Sequence, residues 1–448
     1  MKILNNVAEK IAYYPSEKTQ LSVENRIRFR HLSLREFDYR RPFIFKSQLL
    51  LKFRDLLCNE LDFVDIETPI LFRETPGGAQ EFIVPTRNKG LFYSLPQSPQ
   101  QFKQLLMISG FERYMQIAKC FRDESTRFDR QPEFTQLDLE AAFVSKEDIY
   151  KVIEHLFIYS WHIVQKYNSN APKLSIPFPR INYSEAMELY GSDKPDTRFE
   201  MKLKTSDESI YFIVENKFLE SLNEKDIELI MEYGNNLDQK VCINQSKTNE
   251  GLKIFSSEKS MSSRQTLGAL RKFIGDYIHS RGVVNIFEKK IEFLWVENFN
   301  LFEKNGENNF ETVHHPFTAP LDEHLDMVYS NPSKVLGQHY DLVCNGQEIG
   351  GGSIRIHNPD LQEYILSNVL KINSAKLKHL IEALKSGAPP HGGIALGIER
   401  LIAILYGCES LKDVIAFPKS LNQLDPYFEA PTRISQDILD LYHIKIKE

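Results

Sequence analysis

Arg122, Glu124, Phe134, Gln136, Asp138 and Glu140 fall on one side of two segments in which side chains alternate in character. Tyr114 to Arg122 carries Met115, Ile117 and Phe121 on its other side, and Phe134 to Glu140 carries Leu137 and Leu139. Successive side chains of a strand point to opposite faces, so both segments read as strands. The charged stretch Ser125 to Gln131, closed by Pro132, joins them into an antiparallel hairpin with a polar floor. A hairpin that merely faced water would have no reason to gather an arginine, three carboxylates, an amide and an aromatic ring. The chemistry offered here is the placement of charge. A second such place is Gly387 to Leu405, where Gly392, Gly393 and Gly397 let the backbone approach closely. Arg400 then opens a helix whose other face is Leu401, Ile402, Ile404 and Leu405. Its guanidinium is a fixed bidentate fork that can reach a phosphate.

Other elements must hold these groups in place. Pro42 sits where a helix start tolerates proline, and Leu50, Phe53, Leu57 and Leu61 follow at helical spacing. Phe63 to Glu67 reads as a strand ending at Thr68-Pro69. The chain divides into a basic connector (1–40), a strongly patterned part (41–198), a polar and weakly patterned part (199–290) and a second strongly patterned part (291–448). The third part reads as an insertion into one larger domain.

Composition bounds the class. With 42% hydrophobic and 26% charged residues, the 448-residue chain reads as a globular protein. No apolar run approaches the roughly 18 residues that span a bilayer, so no membrane is expected. Cys58, Cys120, Cys242, Cys344 and Cys408 are scattered, with no Cys-x-x-Cys pair. That excludes a zinc site or disulfide framework and predicts buried free thiols. The net charge of −6 requires any nucleic-acid contact to be local. Residues 1–60 hold 12 basic against 7 acidic residues. Within them Arg26, Arg28 and Arg30 recur at every second position and would share one side of an extended segment. No signal-peptide core opens the sequence, and Glu9 and Glu17 break the acid-poor pattern of a transit peptide.

Pro42 to Pro69, the hairpin Tyr114 to Glu140 and Gly387 to Leu405, in that order along the chain, resemble the signature motifs of class II aminoacyl-tRNA synthetases. Cys120-Phe-Arg-Asp-Glu124 through Arg130-Gln-Pro-Glu-Phe-Thr-Gln136 is similar to the aspartyl enzymes in particular. So are Gln97-Ser-Pro-Gln-Gln-Phe-Lys103, His314-His-Pro-Phe-Thr-Ala-Pro320 and Glu348-Ile-Gly-Gly-Gly-Ser-Ile-Arg355. The resemblance runs from about residue 3 to the end and is weakest between about 199 and 290.

It implies an α+β fold: a catalytic domain of antiparallel sheet flanked by helices, with a small α/β insertion domain at 199–290. It implies a homodimer built largely by the first motif, Pro42 to Pro69. It further implies activation of L-aspartate by ATP with Mg2+, then transfer to tRNA(Asp), a chemistry that needs alignment and charge placement and no covalent nucleophile. Arg122 and Arg400 are the expected catalytic residues. Arg122 would bridge the α-phosphate and the α-carboxylate, Glu124 would read the adenine amino group, and Phe134 and Arg400 would sandwich the base. Asp123, Gln131, Gly397, Ile398 and Glu399 complete the ATP contacts, and Asp341 and Glu348 would face the metal. Lys103 and Arg355 would hold the side-chain carboxylate of aspartate and Asp138 its amino group, with Gln100 and His314 completing the pocket. A neutral asparagine would leave those cations uncompensated. An asparaginyl or lysyl specificity is the rival within the class, a non-catalytic RNA-binding relative the rival outside it.

Two departures from the bacterial pattern resemble the animal mitochondrial form, which predicts a mitochondrial matrix location with the cytoplasm as the alternative. Gly77 stands where bacterial relatives carry Glu, and the loop Arg87 to Gly90 is short. Lys2-Ile-Leu-Asn5 resembles the last strand of the family's amino-terminal anticodon-binding barrel, most of which the sequence lacks. Arg127 and Arg130, with Arg26, Arg28 and Arg30, are then the expected tRNA contacts, giving weak, salt-sensitive charging.

Overall fold

A computed structural model of the chain describes residues 4–7, 10–15, 21–75, 79–124, 130–287, 291–306, 309–408, 410–420 and 422–447. Gly77, Arg127 and the start of the expected barrel remnant lie outside the described residues. The chain forms two compact units: Met1–Ala141 with Leu156–Ser169 and Leu396–Glu448, and Ala142–His155 with Asn170–Ala395.

In the first unit the long helix runs Phe37–Arg54 and continues as a wider turn over Asp55–Glu60. Pro42 therefore lies inside the helix and not at its start. Its ring belongs to the buried stripe Pro42, Phe45, Leu49 and Phe53, and packing offsets the one backbone hydrogen bond it forgoes. The same rotation leaves Leu50 and Leu61 only half-buried. The strand Val64–Asp65 pairs in parallel with Arg113–Phe121, which pairs antiparallel with Glu133–Ala142 as its alternation predicts. The register sets Gln116 opposite Asp138 and Cys120 opposite Phe134.

Arg26, Arg28 and Arg30 are helical, not extended. Ser22 caps a helix over Val23–Arg28, and Arg30–Ser33 forms a further turn. Residues two apart on a helix point away from each other. Arg26 Nη1 donates to the Tyr39 hydroxyl at 2.8 Å, while Arg28 is exposed. Arg30, 4% exposed, donates Nε to the Ala416 carbonyl at 2.8 Å and Nη2 to that of Ile415 at 2.9 Å. It is thus a strut for Ile415 and Ala416, and is withdrawn from any RNA contact. Arg30→Ala should lower unfolding free energy by about 1–3 kcal/mol, because two charge-assisted hydrogen bonds from a buried guanidinium are lost; urea unfolding reads this directly.

In the second unit, Phe293–Glu297 pairs in parallel with Arg180–Asn182 and antiparallel with His339–Cys344. His339–Cys344 pairs antiparallel with Gln347–Ile354, and His391–Gly397 neighbours the latter. Gly352 faces the strand after it: a Cβ there would lie 2.1 Å from the Gly393 carbonyl oxygen. Trp295 stacks on Tyr150 beneath this sheet, with ring centroids 4.2 Å apart.

Residues 199–287 of the same unit have a core of their own, including Ile210, Phe212, Val214, Ile254, Leu270 and Ile274. A four-stranded antiparallel sheet carries it, with strands Lys204–Thr205, Ile210–Glu215, Gly251–Ser256 and Asn244–Lys247 in that order. The helices Glu224–Leu237 and Met261–Arg281 complete it. The sequence reads as weakly patterned here because Asn244–Lys247 is exposed throughout. The five thiols are free; Cys120 and Cys344 are buried as expected, but Cys242 is exposed and Cys58 and Cys408 are half-buried. Among the described residues no helix is long and apolar enough to cross a membrane.

Candidate functional site

The hairpin floor is buried, not solvated. Asp138 and Glu140 are both fully covered. The helix Gln100–Ile108 turns its polar residues Gln100, Gln101, Lys103 and Gln104 inward. Lys103, 2% exposed, places Nζ 3.1 Å from Asp138 Oδ1 and 3.3 Å from Glu140 Oε2. One ammonium thus serves two buried carboxylates. Gln100 Nε2 donates to Gln104 Oε1 at 3.2 Å, one turn along the same buried helix face.

At the open end of the hairpin, Arg122 N–H donates to the Pro132 carbonyl at 2.9 Å, which extends the pairing past the strands. The Arg122 guanidinium lies over the Phe134 ring, 5.2 Å from its centroid. Its Nε is buried without a hydrogen-bond partner among the described residues. Asp123 N–H donates to the Gln80 carbonyl. Glu124 Oε2 accepts from Arg130 Nη1 at 2.7 Å. The Gln131 amide clasps the backbone of Lys419, accepting at 2.9 Å and donating at 3.3 Å.

Gly397 ends its strand and Ile398 begins the helix Ile398–Tyr406, whose first turn carries Glu399 and the half-buried Arg400. The Glu399 carboxylate is engaged within the protein. Oε1 pairs with Lys46 at 2.9 Å, and Oε2 accepts from Thr135 N–H at 2.9 Å. That ties the helix Ile398–Tyr406, the helix Phe37–Arg54 and the hairpin together.

Glu81 is a further carboxylate beside this region, 5% exposed. Its Oε1 accepts from Thr75 N–H at 3.3 Å, while Oε2 has no partner among the described residues. Burial pushes its carboxyl above the usual range. A carboxyl raised in the fold favours folding when protonated, so this contribution is present below the unfolded pKa of 4.5 and lost as pH rises through the folded value. Glu81→Gln should therefore stabilise the chain at pH 7.5 and change little at pH 4, by urea midpoints at both pH values.

In the second unit, Asp341 and Glu348 stand on paired strands around Gly351, which lies directly opposite Asp341. A Cβ at Gly351 would be 2.6 Å from Asp341 Oδ1 and 3.7 Å from Glu348 Oε1. Only a residue without a side chain leaves both oxygens that shared space. Burial, then the negative charge of Glu348, pushes the Asp341 carboxyl well up. Asp341 is buried and Glu348 half-buried, and two carboxylates bordering one cradle are relieved by a cation between them. Oxygen donors suit a hard divalent ion.

His339 Nε2 lies 2.8 Å from Asp341 Oδ1, and His314 stacks on His339 with centroids 3.4 Å apart and planes within 11°. Burial pushes His339 down to about 3, so it is neutral. Ligating atoms of His314, His339 and Asp341 lie within 4.8 Å of one another. The two parallel rings do not converge on one point, so this trio makes a poor tetrahedral nitrogen site.

Lys194 Nζ lies 3.2 Å from Glu348 Oε2 and 3.5 Å from Asp193 Oδ2. Burial pulls its ammonium down, but Glu348 and Asp193 outweigh this and hold it above its usual range. Arg355, 4% exposed, donates Nη1 to Ser353 Oγ at 2.7 Å.

The structure thus groups Lys103, Asp138 and Gln100, groups Arg122 with Phe134, and groups Asp341, Glu348 and His314. Glu140 was read from the sequence as part of the hairpin's polar floor but given no site role, and His339 and Lys194 are absent from the sequence-derived set. His339 and Asp341 alternate on one strand face, a spacing that could have flagged His339. For Lys194 the signal was the turn-rich run Gly191-Ser-Asp-Lys-Pro-Asp196.

The family model of class II tRNA synthetases (D, K and N) matches residues 22–421. The mitochondrial aspartate–tRNA ligase of Homo sapiens is 41% identical, with 99% of this chain and 76% of that protein covered. That of Mus musculus is 40% identical, covering 99% and 74%. The aspartate–tRNA(Asp/Asn) ligase of Thermodesulfovibrio yellowstonii is 35% identical, covering 98% and 82%. Among solved structures, asparaginyl-tRNA synthetase from Pyrococcus horikoshii complexed with asparaginyl-adenylate matches with TM-score 0.61 at 20% identity, covering 94% and 78%. At that identity the likeness concerns the fold, an antiparallel-rich sheet flanked by helices.

Proposed function

Since the chain belongs to the family of class II tRNA synthetases (D, K and N), we propose that it is an aspartate–tRNA ligase, which activates L-aspartate with ATP and esterifies the 3′ end of tRNA(Asp). The carrying observation is Lys103, a buried cation on the helix Gln100–Ile108 that faces the hairpin's carboxylates, in a chain whose relatives at 35–41% identity are aspartate ligases. A neutral or basic side chain would gain nothing from it, which weighs against asparagine and lysine.

In the first step the α-carboxylate of aspartate attacks the α-phosphorus of ATP and pyrophosphate leaves. In the second a terminal ribose hydroxyl of tRNA attacks the activated carbonyl and AMP leaves. Arg122 supplies positive charge where two anions meet, and its unpartnered Nε supports this role. Phe134 offers a ring face for adenine, opposite Arg400, and Glu124 accepts from its amino group once released by Arg130. The segment Gly397–Arg400, Asp123 and Gln131 shape the rest of the ATP contact, with Glu399 and Gln131 acting through the backbone they hold. Lys103 and Arg355 receive the side-chain carboxylate of aspartate, Asp138 its ammonium, and Gln100 and His314 the remaining polar atoms. Asp341 and Glu348 hold Mg2+, which when bound offsets phosphate charge; the cradle at Gly351 supports their fit.

Residues 1–40 are proposed as a connector and barrel remnant, 41–198 and 291–448 as the catalytic domain, and 199–290 as its insertion, a division supported by the separate core there. A homodimer through Pro42 to Pro69 is supported by exposed Ile44, Leu51 and Val64. The mitochondrial relatives support work in mitochondrial translation, and the bacterial relatives support a cytoplasmic setting as the second reading. Pyrophosphate exchange with aspartate, asparagine and lysine, followed by charging of tRNA(Asp), tests the proposal. Asparagine or lysine outperforming aspartate overturns it.

A further inference from the structure

The acidic pair already has a cation beside it, and that cation belongs to the chain. Lys194 Nζ sits 3.2 Å from Glu348 Oε2, on the carboxylate whose other oxygen faces the Gly351 cradle. A second carboxylate, Asp193, lies 3.5 Å from the same nitrogen. The turn that presents Lys194 is firmly set. Gly191 closes the helix Tyr183–Tyr190 at φ +61°, and a Cβ there would lie 2.0 Å from the Arg264 carbonyl oxygen. Ser192 Oγ then accepts from Lys194 N–H at 3.0 Å. The backbone is fixed while the lysine side chain, 39% exposed, retains room to turn.

We propose that Lys194 is a resident counter-ion which a divalent ion must displace from Glu348, with Asp193 holding the ammonium after it moves. The proposal rests on the reading of Asp341 and Glu348 as the metal-facing carboxylates. Its logic is competition between like charges for one carboxylate. With the ammonium in place, Glu348 offers only one oxygen to the cradle, and an incoming divalent ion meets a positive charge a few ångströms away. Removal of the ammonium frees both oxygens and removes that repulsion. Lys194 is therefore a positioning residue that weakens binding of a bare metal ion. The ion then binds best when it arrives with phosphate, whose negative charge offsets the repulsion.

Mn2+ binding to the full chain without nucleotide, followed by electron paramagnetic resonance, tests this. Lys194→Met should tighten Mn2+ binding by about tenfold or more, since a unit charge at contact distance is removed. Lys194→Arg, which keeps the charge, should bind Mn2+ within about threefold of the unaltered chain. Lys194→Gln provides the same neutral arm should the methionine variant misfold, as circular dichroism would reveal. Unchanged or weaker Mn2+ binding in a folded neutral variant overturns the counter-ion role. Asp341→Asn and Glu348→Gln separate the two levels of the argument. If neither alters Mn2+ binding, the metal assignment itself falls; if both weaken it and the lysine variants do not tighten it, only the role of Lys194 falls.

Discussion

Replacement of Arg122 by alanine should reduce aspartate-dependent pyrophosphate exchange by about 10²–10³-fold, with the loss in kcat and little change in stability. Loss of one charge-stabilising donor in a preorganised site has that magnitude. Stability should hold because the Arg122 backbone bond to Pro132 is independent of the side chain, and Nε has no protein partner among the described residues to strand. The guanidinium lies across Phe134, so the ring loses a neighbour and no hydrogen bond. Lysine at 122 should recover little, since an ammonium cannot provide a planar fork to two anions at once. Near-normal exchange by the alanine variant would show that the charge placement lies elsewhere.

Lys103→Met carries the second large effect, and it strikes stability as well as selectivity. Asp138 and Glu140 are fully buried and share this one ammonium at 3.1 and 3.3 Å. Breaking a buried pair from one side typically costs about 3–5 kcal/mol, because the remaining charge is stranded. Two carboxylates lose this ammonium here. The variant should therefore melt well below the unaltered chain, and what remains folded should show a KM for aspartate raised far more than that for ATP. Lys103→Met with Asp138→Asn and Glu140→Gln removes both carboxylate charges. It should recover most of the stability while aspartate binding stays weak. A triple variant that regains aspartate affinity along with stability would reduce Lys103 to a structural ion.

The sequence disclosed what local pattern encodes. Leu137 and Leu139 alternate with Gln136, Asp138 and Glu140, and the strand Glu133–Ala142 follows from that, paired as expected with Arg113–Phe121. Where partners are distant in the chain, spacing misled or fell silent. Arg26, Arg28 and Arg30 have the period of a strand, yet the cap at Ser22 starts a helix and carbonyls near the carboxyl terminus claim Arg30. Pro42 marks no boundary, because its ring lies on the stripe that the core buries. Gln131 and Glu399 stood in the motifs as ATP contacts, but only the fold reveals their amide and carboxylate occupied by Lys419, Lys46 and Thr135. Lys194 gained its meaning from Glu348, far along the chain, and no periodicity connects the two.

Arg271 extends that connection into the insertion. Its guanidinium, fully buried on the helix Met261–Arg281, donates to the carbonyls of Asp196, Phe199, Glu200 and Met201 and lies 4.0 Å from the Phe199 ring centroid. Gly268 of the same helix sits so close to the turn that a Cβ would be 2.4 Å from the Tyr190 carbonyl oxygen. The backbone that carries Lys194 is thus clamped along one side by a helix of the insertion. Small domains open in cooperative blocks, not residue by residue. The helix Met261–Arg281 and the turn that presents Lys194 thus form one packed block, and loss of the helix is expected to loosen the ammonium that faces Glu348 in the same event.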